Sequence, residues 1–117
     1  MNFKNHSPEA LLSELKSAVL TERQSTTRVL HLLCEVEARR IFGCHGSLFD
    51  FTVHELGYSP DAAYRRINAM RVIRDVPEVE AKLESGSLSL SVVAEATRFF
   101  RAGAGSRARA GEGLTES

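Results

Sequence analysis

The chain is poor in three things that commonly define a small protein. Only two cysteines occur, Cys34 and Cys44, too few for a disulfide framework, and nothing near Met1 resembles the basic-then-apolar pattern of a secretory leader. A reducing, cytoplasmic setting is the expectation. Purely apolar stretches run to only a few residues, far short of the roughly 20 that a membrane-spanning helix needs. Charge of one sign is also lacking, since 15 Lys and Arg balance 15 Asp and Glu. The whole chain therefore carries no electrostatic signature of nucleic-acid binding, and any such signal has to be local.

Prolines number three, and each marks a helix start rather than a break. Ser7-Pro8-Glu9 and Ser59-Pro60-Asp61 both place a serine at the N-cap, a proline at the first helical position and an acid at the positive end of the dipole. Asp75-Val76-Pro77-Glu78 reads as a third start, with Asp75 as cap and Glu78 closing a capping box.

The 117 residues, 43% of them hydrophobic, suit one domain with a single core. Apolar spacing between the starts is helical throughout. Leu11, Leu12, Leu15, Ala18 and Val19 form one stripe, and Val29, Leu32, Leu33 and Val36 another. The polar stretch 21–28 between them predicts two helices or one bent helix within 7–42. Gly43, after Arg39-Arg40-Ile41-Phe42, is the expected left-handed cap at the end of that region.

Ser47 then opens a short helix that Gly57 closes, Ser59 starts a helix to about Arg74, and Asp75 one to about Glu84. Ser89 begins a last helix with Leu90, Val93, Ala94, Phe99 and Phe100. The predicted architecture is all-α: a small multi-helix bundle over 1–101, with a helix-turn-helix at about 47–74, C-terminal helices over 75–101, and a disordered tail or linker over 102–117. That tail is glycine, alanine, arginine and serine with almost no large apolar residue, so burial cannot offset its ordering entropy.

The stretch that carries a functional signal is Phe51 to Ile67. A short helix ends in Leu56-Gly57, a tight turn follows, and a second helix begins at Ser59. Ala62 and Ala63 are the small residues at the crossing, with Val53, Leu56 and Ile67 behind them. In a helix-turn-helix the second helix enters the major groove, and Ser59, Asp61, Tyr64, Arg65 and Asn68 then point outward. Arg65 can bond bidentately to guanine, Asn68 to adenine, and Ser59 or Tyr64 to phosphate. Arg66 and Arg71 add phosphate contacts. Between Tyr58 and Arg74 stand Arg65, Arg66, Arg71 and Arg74 against the single acid Asp61, so the neutral chain contains a basic element. Set against this, Arg66, Arg71 and Arg74 on an amphipathic helix also fit a solvated face paired with Glu55, Asp75 and Glu78.

Glu35-Val36-Glu37-Ala38-Arg39-Arg40, Gly46-Ser47-Leu48-Phe49, Leu56-Gly57-Tyr58-Ser59, Ala62-Ala63-Tyr64-Arg65-Arg66-Ile67, Pro77-Glu78-Val79 and Gly86-Ser87-Leu88-Ser89-Leu90-Ser91 together resemble the N-terminal helical domain found ahead of HNH endonuclease domains in bacteria. The resemblance runs from Leu11 through Arg98. From Gly57 to Ala96 the chain is also similar to the helix-turn-helix region of the ParB family. Both resemblances imply binding of double-stranded DNA. The histidine base, histidine metal ligand and ββα scaffold of an HNH site are missing, so no catalytic role carries over, and the chain is expected not to be an enzyme by itself.

His31, Cys34, Cys44, His45 and His54 are spaced more widely than zinc ligands usually are. They read as a core cysteine and surface histidines, with no metal and no cofactor expected. The alternative to DNA contact is a protein-interaction or dimerisation module that uses the Leu11 to Val36 stripes together with Phe99 and Phe100. The N-terminal stripes are the expected homodimer surface in either case.

Overall fold

The computed structural model describes residues 2–96, all of them in helices, turns or irregular segments. The expected tail over 102–117, the last residues of the helical domain, and Phe99 and Phe100 lie outside the described residues.

One helix, α1 (Pro8–Arg39), makes up a third of what is described. Its start is the one the sequence predicts. Ser7 caps it, accepting from the Ala10 N–H at 3.1 Å, with proline in the first turn. The polar stretch 21–28 does not interrupt it, which corrects the expectation of two helices and leaves the single-helix alternative. Thr26 donates its hydroxyl to the Glu22 carbonyl at 3.0 Å, satisfying the side chain inside the helix. Thr27 is buried and donates to Glu84 Oε2 at 2.6 Å. The polar middle is thus a docking site rather than a linker.

The C-terminal end of α1 differs from the sequence reading as well. Arg40, not Gly43, takes the left-handed position, at φ 54°. Its N–H bonds the Glu37 carbonyl at 3.1 Å, and the Ile41 N–H bonds the Val36 carbonyl at 3.2 Å. That pair of bonds is a Schellman closure, and it stops the helix three residues before Gly43, which turns the following loop at φ 67°.

Ser47 caps α2 (Leu48–Asp50) through the Asp50 N–H at 3.1 Å. The chain continues as a π-helical turn over Phe51–Glu55. Thr52, fully buried, donates its hydroxyl to the Leu48 carbonyl at 2.7 Å, and the Leu56 N–H reaches back five residues to Phe51 at 3.2 Å. Gly57, at φ 83°, allows the sharp exit. Helix α3 (Pro60–Asp75) follows, and α4 (Val79–Ser85) comes after it. Asp75 is the last residue of α3 and not the cap of α4, and Glu78 makes no side-chain cap bond. The expected capping box is therefore not formed. Gly86 closes α4 at φ 86°, and a helical run over 90–96 begins after Ser89, whose hydroxyl accepts from the Val92 N–H at 3.1 Å.

The core is built from the C-terminal half of α1 (Leu30, Leu33), Leu48 of α2, the inner face of α3 (Ile67, Met70, Val72, Ile73), Leu83 and Val93. Ala63 and Ala69 are fully buried, which lets α3 approach its neighbours closely. Helix α4 runs antiparallel to α1: Glu80 meets His31 at 2.8 Å, Glu84 meets Thr27, and the Ser85 carbonyl accepts from Arg23 at 3.3 Å. None of the described helices is long and apolar enough to cross a membrane.

Candidate nucleic-acid interface

Helix α3 begins at the Ser59 cap, which accepts from the Ala62 N–H at 3.2 Å. Ala63, Ile67 and Met70, at spacings of four and three, define the centre of its buried face, with Asp61 and Tyr64 away from it, while Arg65 and Asn68 lie on the line of the buried Val72 at its far flank. The burial pattern agrees: Ser59 and Asp61 are exposed, Tyr64 is 62% exposed, and Arg65 and Asn68 are half-buried. Of the set expected to point outward, Ser59, Asp61 and Tyr64 are exposed, and Arg65 and Asn68 are partly covered.

The four arginines of the segment take three different positions. Arg65 has no ion-pair partner among the described residues. Arg66 stacks over the Tyr58 ring, 4.5 Å from its centroid, and donates to the Ala62 carbonyl at 3.2 Å. That contact ties Arg66 to the turn that precedes α3. Arg71 donates to Glu37 Oε2 of α1 at 2.6 Å, and Arg74 lies 3.7 Å from the other Glu37 oxygen while donating to Asp75 at 3.2 Å. The carboxylates that hold Arg71 and Arg74 are Glu37 and Asp75. Glu55, which the sequence also offers, instead faces His45 at 3.3 Å.

Beside the ridge lies an open cleft of about 470 Å³ between the end of α1, the 40–47 loop and α3. Arg40, Phe49, Tyr64 and Arg71 are among its lining residues. Arg40 is exposed and has no ion-pair partner among the described residues, and Phe49 is partly exposed. Neither was distinguishable as a site residue in the sequence, where Arg40 reads as a helix-end arginine and Phe49 as an ordinary apolar residue of a short helix. Only the Schellman closure at Arg40, which folds the loop back toward α3, brings them to the ridge.

The His45, His54 and Glu55 side chains meet without forming a metal cluster. The His45 ring stacks on His54 at 6.2 Å and meets the Phe51 edge at 5.9 Å. Among the described residues no group of three His, Cys, Asp or Glu could hold a metal ion. Cys34 is half-buried against the core, and Cys44 is exposed and unbridged.

Compared with protein-family models, curated proteins and solved structures, the chain matches none of them.

Proposed function

We propose that the chain is a non-catalytic DNA-binding module in which α2, the π-helical turn and α3 act as a helix-turn-helix on double-stranded DNA. The observation that carries this reading is the ridge of α3: a capped helix start at Ser59, with Tyr64 exposed, Arg65 and Asn68 partly exposed beside it, and Arg40 alongside. Helix N-terminal turns with exposed polar side chains suit a major groove. Arg65 is the guanine-reading and phosphate-contacting side chain, Asn68 the adenine-reading one, and Ser59 and Tyr64 orient the helix on the backbone. Arg66 supports the turn through Tyr58 and contributes charge. Arg71 reaches phosphate only by leaving Glu37.

The resemblance to the helical region ahead of bacterial HNH endonuclease domains, and to the ParB helix-turn-helix, supports the same reading. Two cysteines without a bridge, Cys34 and Cys44, are in keeping with a cytoplasmic module. A homodimer joined through α1 belongs to the same proposal, because helix-turn-helix proteins commonly pair to match two half-sites.

The test is fluorescence-anisotropy binding to random-sequence duplex at low and moderate salt, with wild type beside Arg65→Ala and Arg40→Ala/Arg65→Ala. Binding should weaken as salt rises, because cations that contact phosphate displace counterions. Each arginine removed should lower the slope of log affinity against log salt by about one. Absence of binding at low salt, or unchanged slopes in the double variant, defeats the reading. The protein-interaction alternative is favoured by a different observation, the exposed leucines of α1, and predicts binding that salt barely affects.

A further inference from the structure

Every described residue from Asn2 to Ala18 is exposed, so three turns of α1 stand clear of the bundle. They are not polar turns. Leu11, Leu12 and Leu15 are each 44–58% exposed. A second apolar feature lies farther along the same helix. Val29, Leu32 and Val36 of α1, with Phe51, Leu56 and Tyr58, line a groove of about 370 Å³, at which Leu32 and Leu56 are 55% and 47% exposed. Neither feature is covered by another described element. An exposed apolar stretch of this extent on a soluble chain marks a contact surface.

The two features lie on one line of the helix. Leu11, Leu15, Ala18, Glu22, Ser25, Val29, Leu32 and Val36 follow one another at steps of three and four, the spacing that keeps residues on one face. That line has a symmetry. The steps read the same from either end, so an antiparallel copy whose two-fold axis passes between Arg23 and Gln24 sets Leu11 opposite Val36, Leu15 opposite Leu32 and Ala18 opposite Val29. At the centre, Glu22 faces Ser25 of the second copy and not another carboxylate. Each copy brings both the protruding leucines and the groove that receives them, which is what a closed two-fold contact requires.

We propose that α1 is the interface of an antiparallel homodimer, with Leu11 and Leu15 of each copy seated in the Leu32 groove of the other. The occupant is a second copy because the face is complementary to itself. The area is also right: paired over about 39 Å of helix at 1.5 Å per residue, the contact covers on the order of 800 Å² per copy, the size of a standard stable interface. The inference rests on the homodimer part of the proposed function and not on DNA contact, since no residue of the α3 ridge takes part.

The test is molar-mass measurement by light scattering on the full chain over a range of concentrations, with Leu15→Lys, Leu32→Glu and the double variant L15K/L32E. Both positions are more than half exposed, so helicity by circular dichroism should be unchanged. The wild type should be a dimer at micromolar concentration. Each single variant should dimerise at least ~tenfold more weakly, as when an anchor of an interface is lost. The double variant should regain the dimer, because the antiparallel register sets each new lysine beside a new glutamate. A full chain that stays monomeric overturns the proposal. So do single variants that dimerise as the wild type does, or a double variant no better than the singles. DNA binding that persists in monomeric Leu15→Lys would leave the α3 reading intact, so failure of one proposal is distinguishable from failure of the other.

Discussion

Glu37 of α1 and Arg71 of α3 meet at 2.6 Å with both side chains about two-thirds or more buried. This pair joins the long helix to the candidate DNA-contacting helix. It also holds a cation that the ridge would otherwise present, while the second Glu37 oxygen draws Arg74. On the proposed DNA-binding reading, stability and affinity are therefore opposed at Glu37.

Glu37→Gln should separate the two effects. The half-buried Arg71 loses its charged partner, which should lower the unfolding free energy by about 1–3 kcal/mol. With Arg71 released and Arg74 still held by Asp75, affinity for random duplex should rise and its salt slope should steepen by about one. Urea unfolding and anisotropy on the same sample give both values. A variant that is destabilised yet binds with the wild-type slope would show that Arg71 does not reach phosphate.

Thr27 supports the docking of α4. It is 2% exposed, and its hydroxyl donates to Glu84, a charge-assisted bond of short length. Thr27→Val keeps the shape but leaves the carboxylate without that donor, so a loss of about 1–3 kcal/mol is expected, and Thr27→Ser should recover most of it. Equal denaturation midpoints for the valine and wild-type proteins would rule out this account of why the polar stretch 21–28 stays helical.

Arg40 occupies a left-handed backbone position at φ 54° that costs a side-chain-bearing residue roughly 1–2 kcal/mol and a glycine almost nothing. Arg40→Gly should therefore raise the melting temperature while weakening DNA binding, because the strained residue is also the cation beside the Tyr64 cleft. A glycine variant that is more stable and binds unchanged would assign Arg40 to neither contact nor orientation.

Much of this molecule follows from local rules that act over one or two turns. The caps at Ser7, Ser47, Ser59 and Ser89 are legible because a hydroxyl three residues before an amide satisfies it whatever the rest of the chain does. The exposure of Ser59 and Tyr64 is legible for a related reason: with Ala63 and Ile67 on the inner face, helical period turns these two away from it, whereas the partial burial of Arg65 and Asn68 follows from Val72 packing into the core one and two turns on. All-α content and the Gly57 turn belong to the same class. The tertiary structure decided the rest. It kept α1 whole through its polar middle, because Thr27, Arg23 and His31 find partners on α4, 49 or more residues away. It ended α1 at Arg40 rather than Gly43, moved Asp75 into α3, and gave Arg71 to Glu37 while leaving Arg65 clear. Each of those outcomes depends on which charges and hydroxyls meet across helices, and sequence periodicity determines the face a side chain occupies but not the partner that face will meet.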